Sequence, residues 1–288
     1  MTGTSELPAG ASTRTPRPSG VTAAFAVEVA KLRAQRAALT VLGGCVAGPP
    51  LLVLALRLQG SPPTDTLFGR QVGVSGLAPS LFLLAFGAQW LLPLLTGLVG
   101  GDVVAAEDRH GTWKTLLTRS CSRREVFRAK ALVSLAWAAM VVVLLAVSSL
   151  VAGLLLVGGG PLAGLTGQQI QTGPGIVLVL LCWATVIPPA LGFAALGVLT
   201  STLSRSTAVG AAVPVVTGLV MSLLALVPHS DVLRHLLLAT PFGSWHGLLT
   251  APTSYGPLLR GLLVCALWTG GCLALAERSL LGRDVTGG

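Results

Sequence analysis

The chain has 288 residues, of which 52% are hydrophobic and only 10% charged, with a formal net charge of +9 and a mean hydropathy of +0.80. A water-soluble domain carries about a quarter of its residues charged, so this make-up excludes a soluble globular protein and places the chain among integral membrane proteins. The cations lie in short segments beside apolar runs rather than along one wet face, so no nucleic-acid partner is expected.

Residues 1–20 are rich in Ser, Thr, Pro and Gly and lack an apolar core, which predicts a disordered tail and neither a signal peptide nor a span. Residues 21–288 are then one membrane domain. Residues 21–36 place Phe25, Val29 and Leu32 on one helical side and Glu28, Lys31, Arg33 and Gln35 around the rest. That pattern predicts an amphipathic helix lying in the membrane surface, with a solvated extension of the first span as the alternative.

A hydrocarbon core about 30 Å thick needs about 20 mostly apolar residues per helix. Six stretches qualify: 37–56, 77–100, 131–158, 176–199, 208–228 and 258–276. The expected fold is therefore an all-α integral membrane protein with six transmembrane helices. Pro49, Pro50, Pro93, Pro188, Pro189 and Pro214 are candidate kinks, and Gly43, Gly44 and Gly48 suit close helix packing. Between the fifth and sixth spans, residues 236–249 are too apolar for a plain loop and too short to cross twice. They predict a re-entrant or interfacial hairpin with Trp245 at headgroup level.

Fifteen of the 19 Lys and Arg residues fall in the tail, the block after the second span, the turn at Arg205 and the C-terminus, against Arg57, Arg70, Arg234 and Arg260 in the opposite loops. Positive loops stay inside, so both termini and the charged block are expected to be cytoplasmic, with the protein in the plasma membrane.

That block, from Asp102 to Lys130, is the one place where charge is dense. Asp102 is placed to cap a short helix through Glu107 that closes at Gly111, and Thr112 to cap a second over 113–119. Ser122 and Glu125 form an S-x-x-E capping box that opens a basic helix running into the third span. The pieces make a knob with an apolar face (Trp113, Leu116, Leu117) and a charged rim (Glu107, Asp108, Lys114, Arg119), the signature of a protein docking site. The same patch also fits anionic lipid headgroups.

Of the three lysines, Lys31, Lys114 and Lys130, none follows a glycine, so the chain holds no phosphate loop. The spans carry no Asp, Glu or His, which weighs against an ion-coupled carrier. Four histidines lack metal-ligand spacing, and the five cysteines form no CxxC, so no metal site, cofactor or catalytic group is expected in this chain. Gln89, Trp90, Thr217 and Ser222 are candidates to line a substrate pathway, with Trp137 and Trp183 as further aromatics. A path without fixed charge suits an apolar or amphipathic cargo.

The run G-D-x-x-A-x-E-D-x-x-G-T-x-K-x-L-L-x-R, followed by S-R-R-E-x-x-x-x-K, resembles the type 2 family of ABC-transporter permeases. The likeness extends to E-x-x-K-L-R-x-x-R at 28–36, the six-span layout and the Arg283-Asp284 dipeptide, while Arg119-Ser120 stands where the family has a proline. The resemblance implies a cytoplasmic coupling helix between spans two and three, with Glu107, Asp108, Arg109, Gly111, Thr112, Trp113, Lys114, Leu116, Leu117 and Arg119 seating on a separate ABC ATP-binding subunit. That subunit binds ATP and Mg. It further implies two permeases, identical or paralogous, around a pathway lined by the first, second and fifth spans, and export of a drug or antibiotic. A membrane anchor or sensor that docks a partner without moving cargo is the alternative reading.

Overall fold

The computed structural model describes residues 20–59, 63, 65–111, 122–227 and 231–282, and of His110, Asp231 and Val232 only the backbone. The expectations for residues 1–19, and the six candidate docking residues Thr112, Trp113, Lys114, Leu116, Leu117 and Arg119, lie outside the described residues.

Among the described residues, six helices or helix pairs are long and apolar enough to cross a membrane. They are α2 (Arg36–Leu58), α4 (Ala78–Asp102), α6 (Arg123–Leu156), the pair α7 (Thr172–Thr185) and α8 (Ile187–Ser204), α9 (Thr207–Leu224) and α11 (Gly256–Leu281). Shorter elements sit at their ends: α1 (Gly20–Ala34), α3 (Leu67–Gln71), α5 (Ala105–His110), a two-residue hairpin β1 (Leu162–Ala163) and β2 (Gln169–Ile170), α10 (Asp231–Leu236) and a 3-10 helix (Thr240–Leu249). The protein is thus the expected all-α, six-span membrane fold.

The fourth span breaks at Val186, just ahead of Pro188 and Pro189, because proline supplies no N–H to the preceding turn and crowds it. The prolines of α2, α4 and α9 stay inside continuous helices. α6 has 34 residues, about 51 Å at 1.5 Å per residue, so it outruns a ~30 Å hydrocarbon layer and carries its first basic turns beyond it. Its start is the expected capping box: the Glu125 amide donates to Ser122 Oγ at 3.2 Å and the Ser122 amide donates to Glu125 Oε2 at 2.7 Å. Replacing Ser122 by Ala removes one half of that exchange and is expected to cost about 1 kcal/mol. Faster amide hydrogen exchange over residues 123–126 would register the loss.

Helices α4, α6 and the α7–α8 pair form the interior, and its core includes Leu77, Leu81, Leu84, Trp137, Val141, Trp183 and Phe193. α2, α9 and α11 are peripheral, each with an apolar face turned outward. α4 and α9 run antiparallel in close register, Pro93 against Gly218, Gly97 against Pro214 and Gly101 against Gly210.

At the end away from the charged block, α3, the hairpin and the 3-10 helix form a cap. Leu162 pairs with Ile170 and Ala163 with Gln169, and Gln71 extends the ladder by bonding both backbone groups of Ala163. Within residues 236–249 a single 3-10 helix, Thr240–Leu249, follows the end of α10 and packs on α11 and α7. Trp245, however, is 1% exposed and lies against Phe68, ring centroids 5.7 Å apart. It belongs to the core and not to a headgroup belt, because α3 and the hairpin cover this segment.

Candidate functional site

The short helix α5 stands where α4 ends. Asp102 does not cap it: α4 continues through Asp102, and the first free amide of α5, on Ala105, is taken by the Ser201 hydroxyl of α8 at 2.9 Å. Its far end closes at Gly111, as expected, in the left-handed region at φ +62°. Only glycine adopts that conformation without cost, since a Cβ would crowd the neighbouring carbonyl.

Four charges gather beside α5 in a closed ring. Lys130 Nζ lies 2.9 Å from Glu107 Oε1 and 3.1 Å from Glu28 Oε1, and Lys31 Nζ contacts the same two oxygens at 2.6 and 3.0 Å. Lys130, 1% exposed at its side chain, also donates to the Val103 carbonyl at 2.9 Å, one of the acceptors that the end of α4 leaves open. Both carboxylates are buried as well. A buried ion is tolerable only when paired, and here two anions and two cations cancel.

A second set of bonds works on the other flank. Arg109 donates to Asp102 at 3.3 Å and to the Thr207 hydroxyl, at the start of α9, at 3.2 Å, while the Gln35 amide reaches Asp102 from the start of α2. Arg124 and Arg128 of α6 approach Glu277 of α11. Beneath the charges lies a small apolar plug of Val104, Val126, Phe127, Val198, Ala276 and Leu280. α5 is therefore bonded to α1, α6, α8 and α9 at once.

Two expectations about side chains change. Glu107 does not stand on the exposed rim: it faces inward because Lys130, inserted on the core-facing stripe of α6, requires a counter-ion. Helix α1 was expected to offer its polar residues to solvent, yet Glu28 is buried in the same ring. Lys130 and Ser201 join the site in the structure without belonging to the docking set expected from the sequence. The signal for Lys130 was its neighbours: Val126, Phe127, Ala131 and Ser134 surround it at helical spacing, so it had to point into the protein and find a carboxylate there.

The candidate pathway residues lie on α4 and α9 at similar height, given the register above. Gln89 is exposed and Trp90 is 53% exposed, while Thr217 and Ser222 are half-buried, with Ser222 donating to Gly218 of its own helix. Trp137 and Trp183 are core residues instead, their indoles bonded to the Leu95 carbonyl and to Ser80. Among the described residues no three His, Cys, Asp or Glu side chains gather as metal ligands would.

No curated protein matches the chain. The family model described as "ABC-2 family transporter protein" matches residues 24–224, a stretch that contains the first five spans and the whole strapped knob. Since it spans more than half of the chain, the protein belongs to the ABC-2 transporter family and is a multi-pass ABC permease subunit, a family that implies an ABC ATP-binding partner.

Proposed function

We propose that this permease exports an apolar or amphipathic compound from the cell across the plasma membrane, driven by ATP and Mg held on a separate subunit seated against α5 and the 112–119 segment. The observation that carries this reading is the way α5 is fixed to four other helices at one end of the bundle. An isolated loop would absorb a push, whereas this element passes it on. The missing phosphate loop and the uncharged span interiors support the same division of labour, with the engine on another chain and only a path on this one.

In this reading both termini and the charged end are cytoplasmic. A second permease, identical or paralogous, covers the open faces of α2, α4 and α9, and Gln89, Trp90, Thr217 and Ser222 line the path between the two. The docking surface proper is the outer side of α5, Asp108 and Arg109 with the 112–119 segment, while Glu107 positions that surface from beneath.

Co-purification with ABC ATP-binding subunits of the same genome tests it. The wild-type chain is expected to retain such a subunit and to stimulate its hydrolysis. Gly111→Val forces a β-branched residue into the left-handed region, at about 1–2 kcal/mol, and is expected to weaken retention roughly tenfold. Retention and stimulation that survive both Gly111→Val and Leu116→Asp would refute docking at this knob.

A further inference from the structure

α2 lies along α6 and touches α4 only sparsely, which leaves a crevice of about 480 Å³ lined by Gly44, Cys45, Gly48, Leu83, Leu91 and Leu95. Val41 also lines a second hollow of about 470 Å³ at the charged end, walled by Arg36, Asp102, Arg109 and Trp137. Each volume lies within the ~300–1,000 Å³ of small-molecule sites. Arg36 and Gly48 stand about 18 Å apart along α2, one hollow beside each.

The two ends differ in chemistry. Along the glycine stretch the walls are apolar, and a Cβ placed on Gly44 or Gly48 would meet nothing within 4 Å, so these glycines do not serve a helix contact inside this chain. At the mouth Asp102 is already engaged by Arg109 and Gln35. Arg36 is exposed and pairs with no carboxylate among the described residues. Two guanidiniums against one carboxylate leave the mouth positive.

We infer that this crevice binds a single-chain anionic amphiphile, with the tail laid along Gly44 and Gly48 and the headgroup on Arg36. The inference rests on the permease reading and deepens it by naming a cargo class. Tail burial supplies affinity in proportion to apolar area, and a guanidinium fork beside low-dielectric walls selects a phosphate or carboxylate head. A neutral molecule with the same tail loses the head contact. A small polar anion loses the tail.

The test uses the full chain in vesicles of phosphatidylcholine, without any ATPase, and a dodecyl phosphate carrying a photoreactive diazirine on its tail. Labelling is expected on peptides covering 37–49 and 83–98, suppressed by excess dodecyl phosphate and far less by dodecanol. Gly44→Phe fills the crevice and is expected to reduce that labelling about tenfold or more, the scale of a few buried methylene groups. Gly43→Phe, where a Cβ is equally free of contacts, is expected to keep it, which separates filling from misfolding. Arg36→Gln is expected to abolish the preference for phosphate over alcohol.

Labelling spread evenly over the lipid-facing helices, or unchanged by Gly44→Phe, overturns the inference. So does competition by a two-chain anionic phospholipid as strong as that of dodecyl phosphate, which would make the crevice an ordinary lipid site. Labelling that disappears once two chains are disulfide-crosslinked through Gly48→Cys would also overturn it, because the second copy would then fill the space itself. Because no ATP-binding subunit is present, these outcomes are independent of whether docking at α5 succeeds or fails.

Discussion

Lys130→Met is expected to lower the apparent thermal stability of the purified protein more than any other single change in the charged block, by about 3–5 kcal/mol. The ammonium satisfies Glu28, Glu107 and the Val103 carbonyl from a position sealed off from water. Its removal leaves two buried carboxylates sharing Lys31 alone. The triple variant Lys130→Met, Glu28→Gln, Glu107→Gln removes the three buried ions and leaves only the partly exposed Lys31, and it is expected to recover most of the loss, because buried ions are costly to break singly and much less costly to replace together. A melting temperature that Lys130→Met leaves in place would show that the ring is not holding α5.

The same ring fixes a pH dependence. The Lys31 ammonium is held above its ordinary 10.5: burial pulls it down, and the hydrogen bonds and charges of Glu107 and Glu28 outweigh that pull. A group raised in this way contributes fully below its unfolded value and loses the contribution only as pH climbs through the higher folded one. The Lys31 contribution should therefore stay flat between about pH 6 and 9 and fade only in strong alkali.

Gly101→Ala is expected to disrupt the pairing of the second and fifth spans by about 1–3 kcal/mol or more, a large effect for one methyl group. A Cβ there would fall 2.3 Å from the backbone of Gly210 and Ala211, and one on Gly210 would fall 2.6 Å from the Gly101 carbonyl oxygen. Neither neighbour is a side chain that can swing aside, so α9 must move as a body. Once the helices part, a second methyl costs little, so Gly101→Ala with Gly210→Ala should cost less than the two singles combined. Gly43→Ala provides the contrast: it meets nothing within 4 Å and should be neutral or stabilising by about 0.5–1 kcal/mol through helix propensity alone. Equal melting temperatures for Gly101→Ala and Gly43→Ala would refute the tight crossing.

Much of this architecture is legible in the sequence. The apolar run 176–199 lies within the span Thr172–Ser204, and the run 37–56 lies within Arg36–Leu58, because about 20 apolar residues in a row have few other stable arrangements. The Ser122–Glu125 box and the Gly111 closure were legible for a similar reason, as each depends on residues three or four positions apart. The 162–170 hairpin was not, since its bonds to Gln71 and Leu249 come from distant parts of the chain.

Local sequence therefore determined which segments are helical, how many cross the membrane and where the charged knob lies. Tertiary structure alone decided that Glu107 turns inward, that Trp245 is core and that α2 stands off from α4. Hydropathy and capping act within a turn or two of helix. The partner of a buried charge and the width of a gap between helices depend instead on side chains up to a hundred positions away, which only the folded chain brings within 3 Å.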